Sequence, residues 1–186
     1  MFSRQGFHET SISEIARMAK VNESTIFRLY KNKNDLFLGV VKKFASTDDI
    51  DLMNLQASLS MENFQKDINL IVHEYFKIYF SKVHVLRIFI TNLVVFKELR
   101  GFGYLIIPKL EEHLKGYLAE MEARKIIKVK DLDVVSNFFM STILRDVSYL
   151  TTFKKIEQYD QNIAKQINTK WKSRIDFFCE ELVKTA

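Results

Sequence analysis

A chain with one proline and five glycines among 186 residues has few places to turn sharply. Sandwiches and barrels need turn signals every roughly 8–12 residues, so an all-β fold is excluded. Neither the dinucleotide nor the P-loop glycine fingerprint occurs, which removes the commonest nucleotide-binding α/β folds. Long helices remain, and apolar residues recur at helical spacing almost throughout. With 47% apolar residues the chain can bury a real core.

The spacing predicts an all-α protein with a small head, residues 1–46, and a larger helical body, residues 47–186. In the head, a short helix over 1–7 stops at Gly6. A second helix is capped by Ser11 or Ser13 and buries Ile12, Ile15, Ala16 and Ala19. Lys20-Val21-Asn22 turns the chain, with Val21 plugging the turn. Asn22 then caps a third helix over 23–30, and Asn32 a fourth over 33–46. The polar run Ser46-Thr47-Asp48-Asp49 marks the boundary. Body helices are expected over 49–58, 61–81, 84–99, 105–126, 132–153 and 160–184.

Charge is concentrated in the head. Residues 1–44 carry eight Lys and Arg against four Asp and Glu, out of a net charge of +5 for the whole chain. A basic head on a near-neutral body suits a polyanionic partner. The plain alternative is that these cations only solvate helix surfaces. One cysteine, Cys179, excludes an intramolecular disulfide framework and a thiolate zinc site, and reads as a buried structural thiol. His8, His73, His84 and His113 show no metal-binding spacing, so no metal and no cofactor is expected. The opening residues lack the apolar core of a secretory signal, and no apolar run is long enough for a membrane span. A cytoplasmic chain with no membrane contact is expected.

Two short helices joined by a tight turn, the second bearing hydroxyl and basic groups, describe a helix-turn-helix. The first must bury one face to hold the second rigid. The second must present polar side chains to a major groove about 12 Å wide. Ile26 and Phe27 are expected to anchor it inward, leaving Glu23, Ser24, Thr25 and Arg28 outward.

The ungapped run from Gly6 to Phe37, Gly-Phe-His-Glu-Thr-Ser-Ile-Ser-Glu-Ile-Ala-Arg-Met-Ala-Lys-Val-Asn-Glu-Ser-Thr-Ile-Phe-Arg-Leu-Tyr-Lys-Asn-Lys-Asn-Asp-Leu-Phe, resembles the signature of TetR-type (TetR/AcrR-like) transcriptional regulators. The resemblance implies a dimeric, ligand-responsive repressor that binds near-palindromic double-stranded DNA and is not an enzyme. It places Thr10 and Ser11 at phosphate. Glu23, Ser24, Thr25 and Arg28 fall on the recognition helix, and Lys31 and Lys33 beside it, with Lys33 at phosphate. The sequence departs from the signature at Lys20, where the family has glycine, and at Phe27, where it has tyrosine. It departs again at Leu29, where His or Tyr is usual, and at Glu23, which opens the recognition helix. The family also has further helical turns before the position of Met1, so a start upstream of Met1 is one reading of the short first helix.

The body is rich in aromatic residues. They read either as ordinary core or as the walls of an apolar effector pocket with a few polar anchors. The candidate lining is His73, Phe76, Tyr79, Phe80, Phe89, Asn92, Phe96, Phe138, Ser141 and Arg145, with Tyr75 and Thr91 as further anchors. Residues 132–153 are apolar almost all round, and Ile163, Ile167, Trp171, Ile175, Phe178 and Leu182 form a stripe on 160–184. These two helices are expected to form a two-fold, four-helix dimer interface, with Trp171 and Phe178 on or beside its seam. The competing functions are a helical protein-interaction module without DNA binding and an all-helical enzyme. The second lacks any convergent acid, base or nucleophile.

Overall fold

A computed structural model of the chain describes residues 1–45, 50–92 and 106–183, and every element among these is helical. The first of two compact units holds α1 (Phe2–Glu9), α2 (Ile12–Ala19), α3 (Glu23–Leu29), α4 (Lys33–Ala45) and α7 (Val83–Asn92). The second holds α5 (Leu52–Ser58), α6 (Phe64–Ser81), α8 (Ile106–Ala123), α9 (Leu132–Ser148) and α10 (Gln161–Val183).

The first unit closes around Phe37. Phe2 and Phe7 of α1 each meet its ring edge-on at 5.1 Å. Ala16, Ile26, Leu36 and Val41 complete the core, together with Val85 and Ile88 of α7. The sequence assigned α7 to the body, yet two of its apolar residues lie in the core of the head. Helix α1 does not stop at Gly6. It kinks there at φ 87°, a left-handed value that favours glycine, and resumes to Glu9. At Gly39 the need is space, because a Cβ would lie 2.8 Å from the Tyr30 ring.

In the second unit α6 buries Phe64, Ile68, Ile71, Val72, Tyr75, Phe76, Tyr79 and Phe80, a stripe at helical spacing. Asp67 is also buried. It is fully used, accepting from the Ser60 and Met61 backbone at 2.8 and 2.9 Å, the Ser60 hydroxyl at 3.0 Å and the Tyr117 hydroxyl at 3.2 Å. Helix α10 buries Ile163, Ile167, Trp171, Ile175, Cys179 and Leu182. Burial and the nearby Asp176 push the Cys179 thiol up to about 12, which keeps it protonated and inert.

Helix α9 is shorter than expected. The next five residues, Tyr149–Phe153, form a π turn, with the Thr151 hydroxyl donating to the Val147 carbonyl at 2.8 Å. Nor is α9 covered all round within the chain. Phe139, Met140, Ile143 and Val147 are buried, whereas Val134 and Phe138 are exposed. Trp171 packs edge-on against Phe76 and Phe139, and Phe178 lies 4.6 Å from Phe139. Trp171 therefore belongs to the core of the protomer, whereas Phe178 is half-buried beside the exposed rings of Phe138 and Phe177.

Candidate functional site

The head places its polar residues through its caps. Ser11 starts α2, its hydroxyl accepting from the Glu14 amide at 3.1 Å. Lys20 ends α2 at φ 56° and ψ 41°, with its amide turned back to the Ala16 and Arg17 carbonyls. A lysine thus holds the left-handed position that glycine adopts without steric cost. Asn22 begins α3, and the Asn32 side chain accepts from the Asp35 amide at 2.9 Å to start α4. On α3, Ile26 is buried, Thr25 half-buried, and Glu23, Ser24 and Arg28 exposed, as is Lys31 beyond it.

Several expected positions are corrected. Thr10 is buried, its hydroxyl donating to the Gly6 carbonyl at 2.7 Å, so its side chain is spent inside the head rather than facing phosphate. Phe27 does not anchor inward and is 49% exposed. Successive residues step about 100° around a helix, so with Ile26 facing the core its neighbour turns away. Val21 and Ala19 are likewise exposed. Lys33 is half-buried; its ammonium donates to the His8 carbonyl at 3.0 Å and lies 4.5 Å from the centre of the Phe7 ring.

In the second unit a polar group is set into the apolar core. The Tyr75 hydroxyl donates to the Leu110 carbonyl at 2.7 Å and lies 2.8 Å from His113 Nδ1. A phenol has one proton, so with that proton on Leu110 the histidine Nδ1 must be the donor. Nε2 is then a bare acceptor, and it is buried without a partner among the described residues. Burial lowers the His113 pKa, which favours this neutral form. The Tyr79 hydroxyl is also buried with no partner among the described residues. Burial, then nearby Glu111, raise its pKa, so it remains a donor. One neutral donor and one neutral acceptor are thus left unused among the described residues of the second unit. The sequence weighed His113 only as a metal ligand; the available signal was its place beside the apolar stripe Leu110, Leu114, Tyr117, Leu118 and Met121.

The other expected pocket residues are not gathered together. Both nitrogens of His73 are engaged, Nδ1 by the Tyr159 hydroxyl and Nε2 by Asn168 at 2.5 Å, so it braces the fold. Phe76 and Phe80 are core residues beside Trp171 and Tyr159. Ser141 and Arg145 are exposed on α9, and Phe138 lines an open apolar groove of about 490 Å³ with Val134, Phe177 and Phe178. Phe89, Thr91, Asn92 and Phe96 fall outside the described side chains. Among the described residues no cluster of His, Cys, Asp or Glu could hold a metal ion, and no helix is long and apolar enough to cross a membrane.

Residues 1–40 match the family described as bacterial regulatory proteins, tetR family. The head is a tetR-family head. The fatty acid metabolism regulator protein of Bacillus subtilis strain 168 is 27% identical over 122 residues, covering 63% of this chain and 57% of that relative. A TetR-family transcriptional regulator from Mesorhizobium loti superposes with a TM-score of 0.70 at 15% identity, over 98% of this chain and 91% of that one. The transcriptional regulator FadR from Bacillus subtilis, in complex with stearoyl-CoA, gives a TM-score of 0.61 at 19% identity, over 98% and 91%. At these identities the likeness to solved structures is one of fold.

Against the tetR signature two positions matter for chemistry. Phe27 stands on the exposed side of α3 where the signature has tyrosine, and Leu29 is 70% exposed where the signature has His or Tyr. Both exchange a hydrogen-bonding tip for an apolar one.

Proposed function

We propose that the chain is a sequence-specific DNA-binding transcriptional regulator, a repressor that leaves a near-palindromic operator when an apolar or amphipathic effector binds. The observation that carries this reading is the outer face of α3, where Ser24 and Arg28 stand exposed on a helix fixed by buried Ile26. Arg can read guanine bidentately, hydroxyls can serve several bases, and Ser11 and Lys31 flank the helix for phosphate. Lys33 joins them when its ammonium turns from the His8 carbonyl.

The effector reading draws on the core of the second unit. An acyl chain suits aromatic and aliphatic surroundings of this kind, and a carbonyl or hydroxyl could engage the unused Tyr79 hydroxyl or His113 Nε2. The fatty acid regulator among the relatives, and the solved FadR that holds stearoyl-CoA, point to the same class. A ligand that binds the DNA-incompetent arrangement better shifts the population away from operator, whatever its identity. Two copies joined through α9 and α10 would hold two heads for two half-sites. The protein would act in the cytoplasm, without a cofactor and without catalysing a reaction.

Selection of bound duplexes from a random pool tests the reading. A near-palindrome should emerge, with affinity falling steeply as salt rises, and stearoyl-CoA should release it. The alternative, a helical protein-interaction module, predicts no enriched duplex and no steep salt dependence.

A further inference from the structure

The outer face of α3 is more apolar than a purely polar reader requires. Phe27 is 49% exposed. Ser24 and Arg28 mark the middle of that face. Counting about 100° per residue, Phe27 lies about 80° to one side of it and Thr25 about 80° to the other. Leu29 lies about 120° away, so of the two exposed apolar residues on α3 Phe27 is the one beside the reading edge. The face is also cationic. Arg17, Lys20, Arg28 and Lys31 are exposed on α2, α3 and their flanking turns, against the single carboxylate Glu23 on α3. A partner complementary to this surface would carry negative charge and at least one apolar spot.

A tyrosine at this position could give its hydroxyl to phosphate. Phenylalanine has no such group, and pressing a bare ring against phosphate would desolvate the anion with no compensating bond. Among the base edges in the major groove, the 5-methyl of thymine is the apolar feature, and Phe is among the side chains that suit it. We propose that Phe27 is a specificity-determining residue that reads a thymine methyl group in each half-site, one or two base pairs from the guanine contacted by Arg28. The inference rests on the DNA-binding reading above.

Deoxyuridine differs from thymidine only by that methyl, which makes the test direct. Duplexes are first selected from a random pool with the wild-type chain, and each thymine of the enriched sequence is then replaced singly by deoxyuridine. At one thymine per half-site, affinity should fall about fourfold, the loss expected for one buried methyl. Phe27→Ala should bind the thymine and deoxyuridine duplexes alike at that position, and Phe27→Leu should keep part of the difference. Arg28→Ala should weaken both duplexes and leave their ratio unchanged. Because Phe27 is half-exposed, the variants should match wild-type helicity by circular dichroism. Equal wild-type affinity for both duplexes at every thymine overturns the proposal, as does a Phe27→Ala variant that retains the full difference. Failure to enrich any duplex would instead remove the DNA-binding reading on which it stands.

Discussion

The ammonium of Lys33 lies 4.5 Å from the centre of the Phe7 ring and donates at 3.0 Å to the carbonyl of His8. One side chain at the start of α4 thus fastens the end of α1. It is also the lysine that the family resemblance places at phosphate. The two roles predict a joint effect. Lys33→Ala should lower stability by about 0.5–1 kcal/mol, the range for an exposed cation–π contact, and should flatten the salt slope of duplex binding by about one unit. Lys33→Met keeps the stem over the ring and should restore part of the stability but none of the slope. Thermal melts and salt titrations measure the two effects separately. An unchanged slope would leave Lys33 with its structural role alone.

Asp146 supplies a pH dependence. Burial alone would raise its pKa, but hydrogen bonds and charge from Arg174 and Lys170 outweigh this and hold it below the usual carboxylate value. The Trp171 indole also donates to it at 3.1 Å. A depressed native pKa contributes stability above the unfolded value, about 3.9, and that contribution fades as pH falls through the native one. Asp146→Asn should therefore destabilise at neutral pH by about 1.5–3 kcal/mol, the worth of a charged hydrogen bond. The gap to wild type should narrow as pH falls below about 4. Denaturant melts at pH 7 and pH 3 would show it, and a gap of constant size would refute it.

The proposed dimer seam can be probed where the chain leaves aromatic rings uncovered. Phe138→Glu or Phe177→Glu should give folded monomers by sedimentation, because an unpaired carboxylate in an apolar interface costs several kcal/mol. Phe178→Glu should cost stability as well as assembly, since that half-buried ring also packs 4.6 Å from Phe139 within the protomer. Monomers that still bind a palindrome as tightly as wild type would contradict the dimer reading.

Tyr79 and His113 predict a trade between stability and ligand affinity. Tyr79→Phe deletes a buried hydroxyl with no partner among the described residues, so stability should hold or rise slightly. Binding of stearoyl-CoA should weaken, because the donor is lost. For His113 the native pKa lies below the unfolded value, so the unfolded chain takes up protons first. Stability should consequently decline as pH drops below about 6.5, and His113→Leu should remove that decline. Calorimetric titration and melts between pH 5 and pH 8 would decide both points.

Much of this was legible in the sequence. The α6 stripe could be read from spacing, and Ser11 and Asn32 from the short polar residues that caps require. The outward set of α3 was read partly wrong because Ile26 and Phe27 were treated as one anchor, although adjacent helical residues point about 100° apart. Asp67 gave no warning, since a buried carboxylate depends on donors gathered from Ser60, Met61 and Tyr117. The surroundings of the α9 residues were hard to read for the reverse reason. Apolar spacing identifies faces that seek cover, but not whether the cover comes from the same chain, and Phe138 stays exposed within this one.

Helix α7 carries a consequence for modularity. The head is discontinuous in sequence, since Val85 and Ile88 share a core with Phe37 and Val41. A chimaera that exchanged only the first forty-odd residues would inherit a foreign plug for that core. Recombination in this lineage is therefore expected to preserve the match between residues 1–45 and 83–88, and head swaps between relatives should succeed only when both segments travel together.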